Sequence, residues 1–157
     1  LFEMEETDAA FAAKRRSLDV LHKTRGTGHP RTIWAEMRLA QKLITYDRAA
    51  EARDNLLEFL PIWRTLDLSR ECWVLAAIEG VLGEAISVAG GDAAEAEALI
   101  LHSFHTVHQE LGGQESGKQM NRVQAALDRV VRLYEGEGQT GVAEEYRRAI
   151  VDSSRVF

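Results

Sequence analysis

Cysteine is nearly missing from this chain of 157 residues; Cys72 stands alone. A single thiol closes no intrachain disulfide and supplies no cysteine metal cluster, a usage that suits a reducing cytosol. Proline is nearly as scarce, with only Pro30 and Pro61 to interrupt helix. No apolar stretch is long enough to cross a bilayer, and residues 1–30 lack the apolar segment of a secretory leader. Positive charge is in deficit, since 19 Lys and Arg face 25 Asp and Glu for a net charge of −6. Such a balance repels a phosphate backbone or an anionic membrane surface, so neither nucleic acid nor membrane is expected as a partner. A cytoplasmic location is the expectation. The start at Leu1 rather than Met suggests a fragment or a processed chain.

What fills the chain instead is helix-forming. Hydrophobic residues make up 45% and charged residues 28%, enough to bury a core and stay soluble. Ala, Leu, Glu and Arg lose little rotamer freedom in a helix. Apolar residues recur at three- and four-residue spacing, and no stretch alternates as a half-buried strand would. The pattern predicts an all-α fold of seven helices, at about 4–24, 31–45, 48–66, 69–89, 92–111, 117–135 and 140–152. Pro30 suits a first helical turn, and Pro61 predicts a kink or an early stop. Ser69 and Asp92 read as N-caps, while Gly90-Gly91, Gly112-Gly113, Gly136 and Gly138 read as breaks. No linker divides the chain, which reads as one continuous unit.

Three segments superpose. Leu39-Ala40 with Leu43, Leu82-Gly83 with Ile86, and Val130-Val131 with Tyr134 share one spacing. In each, a turn position follows eight residues after the first: Asp47, Gly90 and Gly138. A small residue then returns on the next helix, at Ala52, Ala96 and Ala143, with one extra residue at Gly90-Gly91 in the second segment. A large residue beside a small one lets a second helix approach closely, with the alanine at the crossing point. A bulky replacement there should cost about 1–3 kcal/mol through overpacking. Neither helix of a pair buries its face alone, so neighbouring pairs must stack.

This pattern of large residue, Leu-small, large residue, turn and Ala resembles the tetratricopeptide repeat. The anchors Leu39, Leu82 and Val130 lie 43 and 48 residues apart, longer than the ordinary period of about 34. With Gly28-His29-Pro30-x-Thr32 opening a unit, the longer period is similar to the kinesin-light-chain-like subclass. The resemblance implies a right-handed α-α superhelix of antiparallel pairs. Residues 1–28 match the second helix of a preceding unit, and 29–68, 69–114 and 115–157 form three full units. Leu82-Gly83-Glu84-Ala85, Ala94 to Leu99, Val131 to Glu135 and Ala143 to Arg147 also look like the final repeats of bacterial multidomain proteins with an N-terminal serine/threonine kinase. Glu36 and Glu79 depart from the family pattern, standing where a Trp or other large residue is usual; Leu127 conforms. Asp47 replaces the usual turn glycine.

The resemblance further implies that the first helix of each pair lines a concave, partner-binding side. By spacing, its outward positions are Trp34, Met37, Gln41 and Ile44, then Ala77, Gly80, Glu84 and Ser87, then Ala125, Asp128, Arg132 and Glu135. Trp34, Met37 and Ile44 would form an exposed apolar patch, as binding sites often do. The plainer alternative packs them as core.

No constellation points to catalysis. Gly136-Glu137-Gly138-Gln139-Thr140-Gly141 matches a dinucleotide fingerprint literally, but a helix precedes it where a strand is needed, and the repeat explains it as a turn. His102, His105 and His108 fall at three-residue steps on one helix; a metal site would need a further ligand, so a histidine-centred site stays a remote alternative. His29 belongs to the His-Pro opening of a unit. Cys72 reads as a small buried thiol rather than an activated nucleophile. The sequence therefore predicts a non-enzymatic module without cofactor or metal that holds a protein or peptide, in a larger signalling protein. The alternative is a structural spacer that dimerises through an end helix.

Overall fold

The computed structural model describes residues 2–66, 72–112 and 117–153, and the side chains of residues 7–66, 72–112 and 117–149. Among the described residues every regular element is helical: α1 (Phe2–Arg25), α2 (Pro30–Thr45), α3 (Ala49–Trp63), α4 (Cys72–Val88), α5 (Ala93–Leu111), α6 (Gly117–Gly136) and α7 (Thr140–Ser153). They fall into two compact units, residues 1–66 and 67–157. The expected cap at Ser69 and the break at Gly113 lie outside the described residues.

Local chemistry sets where these helices begin. His29 is extended at φ −73° and ψ 135°, and its Nδ1 accepts from the Arg31 N–H at 3.1 Å, while Pro30 takes the first helical position. A histidine thus does the capping work more often given to Ser or Asp. Asp92 caps α5 by accepting from the Glu95 N–H at 2.9 Å. Pro61 sits inside α3, which runs two residues beyond it and then turns. Its missing N–H would have bonded to the carbonyl of Leu57, an exposed residue where water can serve instead.

The three helix hairpins end their first helices in the same way. Asp47, Gly90 and Gly138 adopt the left-handed conformation, at φ 57°, 73° and 74°. The next residue then bonds back five positions: Arg48 N–H to Leu43 O at 2.8 Å, Gly91 to Ile86 at 2.8 Å, and Gln139 to Tyr134 at 2.7 Å. The left-handed residues bond to Ile44, Ser87 and Glu135 at 3.3, 3.2 and 3.0 Å. These paired bonds form a Schellman motif, which satisfies carbonyls the helix end would leave open. A short turn of this kind returns the chain antiparallel, and Ala52, Ala96 and Ala143 on the returning helices are wholly buried.

In the first unit α2 packs against both α1 and α3. Ile33, Leu43, Leu56 and Trp63 are buried. The α1 flank is held by Phe11, whose ring meets Tyr46 edge-on at 5.6 Å and carries the Arg48 guanidinium 4.8 Å above it. Arg48 pairs with Asp8 and Glu51 at 2.8 Å each, and Arg15 reaches the same Glu51. In the second unit α4, α5 and α6 pack on one another and α7 packs on α6. Buried residues lie on all sides of α4, as a helix apolar all round requires. Gly83 permits the close α4–α5 approach: a Cβ there would sit 2.8 Å from the Ala96 carbonyl oxygen. Tyr146 of α7 stacks on Tyr134 at 5.9 Å and meets Phe104 edge-on at 5.6 Å, fastening the last helix.

Candidate partner-binding face

On α2, the positions expected to face a partner do not form an exposed apolar patch. Met37 is buried at 7% exposure, and Trp34, Gln41 and Ile44 are half-buried. The expectation of a greasy surface at Trp34, Met37 and Ile44 is therefore corrected. An unbranched thioether is readily absorbed into irregular packing, and Met37 adjoins the apolar stripe of Ile33, Ala40 and Leu43 on the same helix.

In the second unit Gly80 is buried and Ala77 and Ala125 are half-buried, which leaves the polar candidates to form any face. Ser87 is exposed near the end of α4. Glu84, three residues earlier, accepts from Arg132 Nε at 2.9 Å and Nη2 at 2.6 Å, and from Arg129 Nε at 3.2 Å. Arg129 is buried, and that burial holds its pKa below the usual guanidinium value, against the pull of Glu84. Arg132 is half exposed, so one carboxylate holds one sunken and one solvent-facing cation. Asp128 accepts from Gln124 at 2.8 Å. Asp128 and Arg132 line a cleft of about 410 Å³ with Gln124, Leu127, Val131, Glu135 and Arg147. Arg147 reaches from α7 to Glu135 of α6 at 2.6 Å and also pairs with Glu144 on its own helix.

Several features went unseen in the sequence. Glu36 and Glu79, the two departures from the large-residue position, are both buried, and each has a histidine of a neighbouring helix. His22 Nε2 lies 2.7 Å from Glu36 Oε1, and His102 Nε2 lies 3.7 Å from Glu79 Oε2. The signal was the glutamate itself, since an acid at an apolar position demands a partner. Arg129 carried no such signal, because charge on an apolar helix face reads the same whether buried or snorkelling.

The remaining sequence candidates occupy ordinary positions. His102 and His105 are exposed, while His105 and His108 flank Phe104 at 5.4 and 5.7 Å. Among the described residues no three His, Cys, Asp or Glu side chains converge as a metal ion would need. Cys72 is half-buried rather than buried as the sequence suggested; partial desolvation, with the neighbouring Glu110 adding, pushes its thiol pKa up, which disfavours the thiolate. The literal dinucleotide fingerprint is the turn between α6 and α7, with Gly138 as its left-handed residue. No helix is long and apolar enough to cross a membrane among the described residues. No family model, no curated protein and no solved structure matches the chain.

Proposed function

We propose that this chain is a non-enzymatic interaction module of tetratricopeptide type, whose helix pairs wind as a right-handed superhelix and hold a peptide or protein partner. One observation carries the reading. Three hairpins, at α2–α3, α4–α5 and α6–α7, repeat the same left-handed exit turn and the same wholly buried alanine. Stacked hairpins of this kind leave one helix of each pair to face outward, where contacts can vary without disturbing the core. In the second unit that surface is the Glu84–Arg132 strip and the cleft beside Asp128. Its residues donate and accept in fixed directions, which suits recognition of an extended or helical peptide. Parentage in a cytoplasmic bacterial kinase-type signalling protein rests on the sequence resemblance.

A selection of displayed peptides on the full chain tests this. Ligands should emerge whose affinity falls at least about tenfold, some 1.4 kcal/mol, in the Asp128→Lys, Arg132→Glu double variant. The same ligands should bind a Leu57→Ser variant, altered at an exposed α3 position, without loss. Failure to enrich any ligand, or equal binding by both variants, would defeat the proposal.

A further inference from the structure

The junction of the first three helices contains a titratable pair. His22, near the end of α1, has Nδ1 3.0 Å from the Thr27 hydroxyl and Nε2 2.7 Å from the Glu36 carboxylate. Its ring stacks on Phe59 of α3 at 4.8 Å and 23°. One imidazole thus touches the α1–α2 turn, α2 and α3 at once. Glu36 itself is 5% exposed. Two further carboxylates act on it, Asp19 from α1 and Glu58 from α3.

We propose that the His22–Glu36 pair is a proton-operated fastening of α1 onto the α2–α3 hairpin, gripping more tightly as the medium turns mildly acidic. The geometry gives the direction. With Glu36 ionised, a buried negative charge shares the junction with two other acids and a single imidazole. Taking a proton relieves both the desolvation and the repulsion. The hydrogen bonds survive the change: a carboxyl group still accepts from Nε2–H through its carbonyl oxygen, and the Thr27 hydroxyl donates to or accepts from Nδ1 as needed. Releasing α1 would return Glu36 to water and remove the preference. Burial raises the Glu36 pKa above its ordinary 4.5, His22 opposes that rise, and Glu58 and Asp19 add to it. The folded junction therefore binds a proton more tightly than the opened one. Its stability increases as pH falls through the raised value, and the gain is complete near 4.5.

Two measurements on the full chain decide the matter. Amide hydrogen exchange of α1, referred to intrinsic rates, is followed between about pH 7.5 and pH 5. Protection should rise as pH falls, by up to tenfold for each unit that Glu36 titrates above 4.5. The Glu36→Gln variant should lose this slope. A carbon-13 titration of the wild-type Glu36 carboxyl, which needs no variant to fold, should place its midpoint above 4.5. A midpoint at or below that value, α1 protection that does not rise in acid, or a slope retained in Glu36→Gln would overturn the proposal.

Discussion

At Gly83 a single methyl group would land 2.8 Å from the Ala96 carbonyl oxygen and 2.9 Å from the Ile100 side chain. Backbone cannot retreat there without parting α4 from α5, so Gly83→Ala should destabilise the chain by about 1–3 kcal/mol in urea unfolding. Gly141, in the first turn of α7, has nothing within 4 Å of the same added atom. Gly141→Ala should raise stability by up to about 1 kcal/mol, through helix propensity alone. The turn residues invert this logic. Asp47 holds φ 57° where the two equivalent positions are glycine, so Asp47→Gly should stabilise by up to about 1 kcal/mol and Gly138→Ala should destabilise by a similar amount. Thermal melts of the pair would read both signs. The turn positions were legible in the sequence because a left-handed residue leaves a compositional mark. The near-contact at Gly83 was legible only as a small residue beside a large one.

Between elements, one polar tie in the second unit joins Glu84 of α4 to Arg129 and Arg132 of α6. Arg129 is buried beside α4, so Glu84→Gln would leave a guanidinium without its counter-charge. The expected loss is about 2–3 kcal/mol, as for a charged hydrogen bond in poor contact with water. Arg129→Met should be far closer to neutral in the same unfolding measurement, because it removes the stranded charge as well. The helices themselves were readable because their apolar residues repeat over three or four positions. The tie from Glu84 to Arg129 was not, since the two lie 45 residues apart and nothing local marks them as partners. Tyr134 shows the same limit. Its hydroxyl donates to Glu97 on α5 at 2.7 Å, and burial, then the Glu97 bond, pushes its pKa up. Spacing identified Tyr134 only as a large residue.

Over the whole molecule the charge is uneven. Residues 67–157 hold 8 Lys and Arg against 15 Asp and Glu, while residues 1–66 hold 11 against 10. If the partner binds the second unit, selected ligands should be enriched in Lys and Arg. Their affinity should fall between about 0.05 and 0.5 M salt, because screening shortens the reach of surface charge. Salt-independent binding of acidic ligands would contradict that expectation. The candidate face was legible as a set of outward positions on α4 and α6, but its chemistry was not. On α2 the same arithmetic pointed to a Met37 that the core absorbs. Trp63, buried in the first unit, donates its indole N–H to the Thr27 carbonyl at 3.1 Å and stacks on Phe59. Phe59 in turn lies against His22. The chain thereby carries its own optical gauge: in a variant with Trp34 and Trp73 replaced by Phe, emission would start blue and move to the red when water reaches the indole.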